Sequence, residues 1–394
     1  MAPDQETVVL LGAGASQEAR VPTTFEMTEK LVKRVSDSAM MLGPGPSALH
    51  FVCASLMAHD AATEGQSPFS GLDVERVFTA VELLSERSKL EVTPFVASWH
   101  PAVDAWDTQS RATPAFFDDN LQRAIVGSPS FGNASQLITD LIDARTGSAA
   151  DGSTYRELAV TMLAQLRQLV ATTPKDVGYL TPLTERGRDQ GLTIATLNYD
   201  LSIEQSAEAV GCPCTTGVES WLRSGRWEWP TEGIRLLKLH GSIDWVWADT
   251  QDRLGHMPQR AIFLEHELDD IDRHQPALVF GQRGKLRAEG PFLSLLGEFE
   301  TLISRASRLV IIGYSFRDEH VNEIVQRWTA EDAARTITVV DPQWPEDFYG
   351  SARNGFRATM SRHLIPPERG EQFPPRLEIL RDVCSAALPT VLDQ

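Results

Sequence analysis

A glycine-rich segment near the start of the chain has the residue types that can hold a phosphate group. Residues 12–16 read GAGAS and follow the apolar run TVVLL at residues 7–11. Glycines let a ligand approach the backbone closely, and main-chain N–H groups in such a turn can bind a pyrophosphate, helped by the dipole of a following helix. Gln17 replaces the third glycine of the dinucleotide fingerprint, so an ordinary strand-to-helix turn is an equally good interpretation.

Two polar side chains follow a second apolar run, at residues 192–197. The carboxamide of Asn198 could orient a water or a hydroxyl group, and Asp200 could cap the helix predicted after it. As alternatives, Asn198 is a buried turn amide and Asp200 serves the helix cap alone.

A histidine ends the apolar run at residues 234–239. An imidazole is suited to general-base catalysis near neutral pH, and Gly241 beside His240 leaves room for a ligand. A lone histidine at a strand end is also often structural. Polar residues at three strand ends nevertheless indicate one shared crevice, because ligands of open α/β sheets bind outside the carboxyl ends of the strands.

Two further apolar runs, at residues 309–312 and 336–340, end in polar turns. In the first turn, Ser315 and Asp318 have the spacing of a capping box with Asp in place of Glu, which predicts a second anion site at a helix start. In the second turn, Asp341 could bind a ribose diol. The alternative is that Pro342 simply ends the strand.

The remaining motif classes give no further site. The histidines outside these motifs do not pair with Cys, Asp or Glu at zinc-site spacings; they include His256, His266, His274 and His320. No metal is predicted. Walker-type loops, GxSxG elbows and kinase motifs are absent from the sequence.

The elements that would position these motifs alternate between short apolar strands and helices. This pattern predicts an α/β fold with a parallel sheet covered on both faces. Between residues 43 and 190 the pattern is helical, as at 74–88, 135–145 and 155–170, without a convincing strand. We therefore predict three parts: a core at 1–42 and 191–345, a helical insertion or cap at 43–190, and a C-terminal extension at 346–394.

Composition and charge exclude several classes of protein. The 394 residues include 42% apolar and 23% charged residues, which is typical of a globular chain and argues against disordered and fibrous classes. The net charge of −18 disfavours direct binding to nucleic acid or to a membrane surface. Four cysteines without a CxxC pair, no signal peptide and no membrane-spanning run lead us to expect a cytoplasmic protein.

In chain order, the motifs GAGAS, TLNYD, LHGS, GYSF and VVDP resemble the sirtuin-like (SIR2-like) domain family of bacteria. The resemblance covers residues 6–35 and 190–345. It implies a Rossmann-like, doubly wound, mostly parallel sheet that binds NAD as substrate. It assigns the pyrophosphate to Gly12, Ala13, Gly14 and Ser16, the nicotinamide pocket to Asn198 and Asp200, and the catalytic base to His240. It places Gly313, Ser315 and, more loosely, Asp341 near the phosphates and the adenosine ribose.

Two departures from protein-deacylating sirtuins bear on the activity. No cysteine lies between His240 and Cys384, so the four-cysteine zinc module is missing, and VPTTF at residues 21–25 replaces the usual Pro-Asp-Phe-Arg segment. The branch without these features is similar to effectors of antiphage defence. The resemblance therefore implies an NAD glycohydrolase that gives nicotinamide and ADP-ribose, with Asn198 holding the attacking water and His240 accepting its proton.

The same resemblance bears on partners and alternatives. It implies a regulated effector of abortive infection, expected as a homo-oligomer, with a HerA-type ATPase or a short Argonaute as a possible partner. An NAD-dependent protein deacylase remains an alternative function. A module that senses NAD or ADP-ribose without catalysis is a second alternative.

Overall fold

The computed structural model describes residues 6–37, 44–63, 71–93, 103, 152–251, 258–264, 267, 275–280, 290–344, 356–357, 360 and 376–392. The chain divides into two compact units. Unit 1 comprises Met1–Glu26 and Arg167–Gln394, and unit 2 comprises Met27–Leu166. These bounds differ from those of the three parts expected from the sequence, and that division stays a prediction.

A seven-stranded sheet in which all pairings are parallel forms the centre of unit 1. Its strand order is β10-β9-β8-β1-β2-β4-β3. The strands are β1 (Thr7–Leu11), β2 (Leu192–Thr196), β3 (Cys214–Thr215), β4 (Ile234–Lys238), β8 (Arg308–Ile312), β9 (Thr336–Val340) and β10 (Leu377–Leu380). Strands β2 and β8 are buried at every position, as expected of parallel strands covered on both faces. The α/β, doubly wound class predicted from the sequence is confirmed.

The other elements are helices and a small antiparallel sheet. The helices are α1 (Thr24–Asp37), α2 (Gly45–Thr63), α3 (Val74–Ser85), α4 (Ser153–Leu169), α5 (Thr181–Gln190), α6 (Ser202–Ala209), α7 (Val218–Ser224), α8 (Phe292–Ser304), α9 (Glu319–Glu331) and α10 (Cys384–Leu392). The second sheet has the order β6-β5-β7, from β5 (Gly241–Gln251), β6 (Pro258–Leu264) and β7 (Gln275–Leu278). No helix in the described ranges is long and apolar enough to cross a membrane.

Unit 2 contains only helices among its described residues. The Thr28 hydroxyl on α1 donates to the carbonyl of Leu72, just before α3. Arg76 on α3 pairs with both carboxylate oxygens of Asp60 on α2, at 2.6 and 2.7 Å. The helices predicted near 74–88 and 155–170 are present as α3 and α4, whereas the one predicted at 135–145 lies outside the described residues.

The strand register brings the predicted motifs to one edge of the large sheet. Val340, Ile312, Leu11, Thr196 and Lys238 are paired neighbours at the carboxyl ends of five adjacent strands. One residue further on, main-chain bonds continue across the sheet; they include Gly12 N–H to Ile312 O, Leu197 N–H to Leu11 O, and Leu239 N–H to Thr196 O. All five motifs therefore begin at the same level.

Strand β1 marks the point where the strand order reverses. Its neighbour β2 follows it in the chain on one side, and β8 flanks it on the other. A crevice forms outside the carboxyl ends of the strands at such a point, and it is where open α/β sheets bind ligands. The topology thus places the candidate site at the turns after β1, β2 and β8.

The segment after β1 differs from the turn and helix expected there. Residues Ala13–Ser16 form a single 3-10 turn, and α1 begins only at Thr24, so no α-helix dipole lies directly behind the glycines. Pro22 explains this start, because it restricts the residue before it to extended backbone. Glu26 accepts hydrogen bonds from the backbone N–H and hydroxyl of Thr23, which is half of a capping box.

We expect Gly313→Ala to destabilise unit 1 more than a matched glycine variant. Gly313 has φ +62°, and an added Cβ would lie 2.3 Å from the backbone nitrogen of Ala15. Gly211 has φ +66° but no atom within 4 Å of an added Cβ. The left-handed backbone alone costs about 1–2 kcal/mol, and overpacking adds about 1–3 kcal/mol.

Urea denaturation of Gly313→Ala and Gly211→Ala measures the difference. We expect a lower free energy of unfolding for both variants and the larger loss for Gly313→Ala. Equal losses would show that the close contact at Gly313 is not a constraint.

Candidate functional site

The turn after β1 needs glycines because the backbone of the turn after β8 packs directly against it, whether or not a ligand binds there. The N–H of Gly14 donates to the carbonyl of Gly313 at 2.9 Å, and a Cβ on Gly12 would lie 2.6 Å from that same oxygen. Only glycines allow such an approach of two main chains. The turns after β1 and β8 are thereby locked together.

This turn does not offer all the N–H groups that the sequence suggested for a pyrophosphate. The N–H groups of Gly12, Gly14 and Ala15 each donate to a backbone carbonyl at 2.9 Å. The Tyr179 hydroxyl donates to the carbonyl of Ala15 at 2.6 Å and holds the turn from outside. These three N–H groups are used within the fold: that of Gly12 bonds to Ile312 in β8, that of Gly14 to Gly313, and that of Ala15 to Gly12.

Asn198 links the turn after β2 to the glycine turn. Its side-chain nitrogen donates to the carbonyl of Gly12 at 2.9 Å and to the Ser16 hydroxyl at 2.8 Å. Its backbone N–H donates to the Thr196 hydroxyl at 3.1 Å. The residue is buried. Both donors of the carboxamide are therefore used within the fold, and the side-chain oxygen is the atom through which Asn198 can act on a ligand.

Asp200 serves the start of α6 with one carboxylate oxygen and leaves the other buried. Its Oδ1 accepts from the backbone N–H of Ser202 at 3.0 Å, but the N-cap of α6 is Leu201, not Asp200 as the sequence suggested. Asp200 Oδ2 and the Ser202 hydroxyl have no hydrogen-bond partner among the described residues, although both atoms are buried. Buried polar atoms of this kind usually have a partner, so the two atoms mark a place for a polar ligand or water.

A small pocket lies beside these atoms, at the carboxyl ends of β1 and β2. It has room for about one water molecule and is partly open to solvent. Its polar lining comes from Ser16, Thr196, Asn198, Asp200, Ser202 and Glu204. Four of the predicted site residues, Gly12, Ser16, Asn198 and Asp200, thus meet at one place, through contacts or through the pocket wall.

An ion pair between a buried lysine and a partly buried glutamate, not predicted from the sequence, borders this pocket. Lys238, the last residue of β4, is fully buried and donates to Glu204 Oε1 at 2.8 Å and to the carbonyl of Asp200 at 2.5 Å. Burial acts to lower the pKa of Lys238, but the neighbouring carboxylates, Glu204 first, raise it overall, so the ammonium stays charged. Burial raises the pKa of Glu204, against the opposing effect of Lys238. A lysine that ends an otherwise apolar parallel strand is the sequence signal for such a pair.

His240 is joined to Asp318, which the sequence analysis treated only as a capping residue. The Nε2 atom of His240 lies 2.7 Å from Asp318 Oδ2, and both side chains are 5% exposed. Gly241, at φ +86°, turns the chain into β5, where an added Cβ would lie 2.2 Å from the carbonyl of Ala277. The histidine is therefore held between the end of β4 and the start of α9.

The turn after β8 begins α9 in a different way from the predicted capping box. Asp318 itself is the N-cap, because its Oδ1 accepts from the backbone N–H groups of His320 and Val321. Ser315 is exposed, and Phe316, at φ +59°, separates it from the helix. Exposed Arg317 places its guanidinium 4.6 Å from the ring centre of Phe25. The predicted pairing of Ser315 with Asp318 is wrong, because Asp318 rather than Ser315 is the N-cap of α9.

Asp341 follows β9 as predicted but is engaged by the protein. Its Oδ1 accepts from the backbone N–H of Gln343, and its Oδ2 lies 3.1 Å from a guanidinium nitrogen of Arg357. That guanidinium also lies over the rings of Phe316 and Trp344. Asp341 and Ser315 thus lie in the turns after β9 and β8, and neither lines the pocket beside Asn198.

No cluster of His, Cys, Asp and Glu able to hold a metal ion occurs in the described ranges. His256, His266 and His274 lie outside the described residues. All four cysteines are free thiols.

One family model matches part of the chain. Residues 192–348 match a family model described as a SIR2-like domain. No curated protein sequence matches the chain. Solved structures that resemble it include Sir2Tm bound to a propionylated peptide, a Sir2 homologue in complex with NAD, and a mutant Sir2 homologue with 2'-O-acetyl ADP-ribose.

These three structures are 9%, 11% and 11% identical to the chain, with TM-scores of 0.36, 0.39 and 0.40. The alignments cover 98%, 99% and 99% of this chain and 92%, 89% and 92% of theirs. Because the identities and TM-scores are low, we draw no conclusion from these structures, and the likeness to the SIR2-like domain is stated for residues 192–348 alone.

We expect Lys238→Met to lower the free energy of unfolding by about 3–5 kcal/mol, because it leaves Glu204 beside the pocket without its cation. Arg235→Met on the same strand is the matched control. Arg235 is partly exposed and lies 3.6 Å from Glu6, so its loss should cost at most about 1 kcal/mol.

Urea denaturation of both variants and of Lys238→Met/Glu204→Met provides the measurement. Replacing both charges should recover most of the lost free energy of unfolding, since no buried charge is then left unpaired. A double variant as unstable as Lys238→Met would contradict this account of the pair.

Proposed function

We propose that this chain, which contains a SIR2-like domain at residues 192–348, is an NAD glycohydrolase that cleaves the bond between nicotinamide and ribose. The observation that supports it most is the pair of buried atoms without a partner, Asp200 Oδ2 and the Ser202 hydroxyl oxygen, on residues that line the small pocket beside Asn198. NAD is the substrate in this proposal, and water is the acceptor.

The two unpartnered atoms beside the pocket fit the carboxamide of nicotinamide. Its NH2 group can donate to Asp200 Oδ2, and its carbonyl oxygen can accept from the Ser202 hydroxyl. The carboxylates of Asp200 and Glu204 exceed the single Lys238 ammonium in number, so the pocket favours a positively charged group. Both the nicotinamide ring of NAD and an oxocarbenium-like transition state are positively charged.

The rest of NAD is assigned to the turns along the same edge. The glycine turn, Gly12 to Ser16, and Gly313 supply the close main-chain surface for the pyrophosphate. Because three N–H groups of the glycine turn are engaged, we assign the charge contacts to the Ser315 hydroxyl and the Arg317 guanidinium, which are exposed beside Gly313. The adenosine ribose then lies toward Asp341, the residue nominated for its diol.

The chemistry needs one held water and one proton acceptor. The C–N glycosidic bond breaks with its electron pair passing to the nicotinamide ring nitrogen, and a water oxygen forms the new bond to ribose C1'. The Asn198 side-chain oxygen accepts a hydrogen bond from that water and fixes its approach. His240 takes the proton of the water, directly or through a ribose hydroxyl, and the products are nicotinamide and ADP-ribose.

We also propose that the activity is regulated, as part of antiphage defence. Uncontrolled loss of NAD would kill the cell that makes the protein, so assembly or a partner must hold it back. The net charge of −18 disfavours direct nucleic-acid recognition, which we assign to a partner such as a HerA-type ATPase or a short Argonaute. Co-expression with neighbouring genes, followed by sizing of the purified protein, tests both the partner and a homo-oligomer.

We expect His240→Ala to lower the rate of NAD hydrolysis about 10²–10⁴-fold, which is the typical contribution of a general base. The matched control is His50→Ala, an exposed histidine on α2 outside unit 1, which should keep the wild-type rate. The measurement is NAD loss and ADP-ribose formation by chromatography, for the protein alone and with its co-expressed partners, with and without an acetyl-lysine peptide.

Two results would contradict the proposal. NAD consumption that requires the peptide would identify a deacylase. Tight NAD binding without turnover, in every assembly and with every partner, would identify a sensor of NAD.

A further inference from the structure

We infer that Asp318 is a positioning residue for His240. Its hydrogen bond determines which ring nitrogen of His240 carries the proton. This inference rests on the proposed hydrolysis of NAD for its kinetic consequence. The hydrogen bond itself stands on the geometry of the dyad, defined here as His240 and Asp318.

The hydrogen bond of the dyad has a defined donor and acceptor. A carboxylate can only accept, so the 2.7 Å contact with Asp318 Oδ2 places the proton of a neutral imidazole on Nε2. The lone pair then lies on Nδ1, the nitrogen that can accept a proton from substrate water or a ribose hydroxyl. When His240 becomes charged, the buried carboxylate stabilises the imidazolium.

Both the side chain and the backbone of Asp318 hold it in place. Its Oδ1 accepts from the backbone N–H groups of His320 and Val321 at 3.1 and 3.3 Å, as the N-cap of α9. Its own backbone N–H donates to the Tyr314 hydroxyl at 3.2 Å. That hydroxyl lies 3.0 Å from Asn322 Oδ1, and Asn322 Nδ2 donates to the carbonyl of Phe316. The two carboxylate oxygens therefore have separate, fixed tasks.

This division of tasks makes Asp318→Asn a directed test. The backbone N–H groups of α9 need an acceptor, so the new amide oxygen takes the place of Oδ1 and the cap is kept. The amide nitrogen then takes the place of Oδ2 and donates to His240 Nε2, which moves the ring proton to Nδ1. The base is in the wrong tautomer, although the fold keeps its hydrogen bonds.

Asp318→Ser provides the comparison that separates positioning from structure. Serine also caps helices well, but its short side chain leaves His240 without an imposed tautomer. Asparagine, the closer relative in shape, should therefore be the worse substitution for activity. A purely structural role predicts the opposite order. Asp73→Asn, at the N-cap of α3 in unit 2, controls for the change of cap.

The experiment measures kcat and KM for NAD, the melting temperature, and the 15N chemical shifts of the histidine rings. We expect kcat of Asp318→Asn to fall about 10²–10⁴-fold, with KM within about threefold. We expect Asp318→Ser to be less impaired and Asp73→Asn to match the wild type. The His240 ring, assigned by comparison with His240→Ala, should show its proton on Nε2 in the wild type and on Nδ1 in Asp318→Asn.

The outcomes separate this inference from the proposed function. Wild-type kcat in Asp318→Asn, or a wild-type ring with its proton on Nδ1, would overturn the positioning role while leaving NAD hydrolysis in place. If wild type does not hydrolyse NAD in any assembly, the proposed function fails. The ring shifts of the two proteins then still decide whether Asp318 sets the tautomer.

Discussion

Backbone atoms of the turns after β1 and β8 meet at Gly14 and Gly313, and the crevice depends on this contact. Any side chain at Gly313 would collide with the main chain of Gly14 and Ala15. The contact brings two strands that are far apart in sequence to a common end. Asn198 then joins β2 to the same turn through Gly12 and Ser16, so three strand ends become one rigid edge.

Two buried polar pairs complete this edge by linking strand β4 to helices. Lys238 connects the end of β4 to Glu204 on α6, and His240 connects it to Asp318 at the start of α9. In each pair, one member also bonds to the main chain. Lys238 donates to the carbonyl of Asp200, and Asp318 accepts from the backbone N–H of His320. A residue that looks like a helix cap or a strand end from its neighbours alone thus has a second partner on another element.

The sequence predicted the strands and their polar ends well, because short apolar runs and the motifs after them are local signals. Strands β1 and β9 have the predicted bounds, and Gly12, Ser16, Asn198 and Asp200 meet as a shared crevice requires. The partners were not predictable: His240 and Asp318 are 78 residues apart, and only the topology brings them together. The local sequence pattern also missed the Gly14–Gly313 contact, which engages the backbone N–H of Gly14.

The most direct measurement is the release of nicotinamide from NAD, without any acylated peptide, by wild type and Asn198→Ala. Gln205→Ala on α6 is the matched amide control, because the Gln205 side chain bonds to Thr172 rather than to the glycine turn. The account predicts equal amounts of nicotinamide and ADP-ribose from wild type and from the control, and a rate at least about 10²-fold lower for Asn198→Ala. An Asn198→Ala protein that releases nicotinamide at the wild-type rate would contradict it.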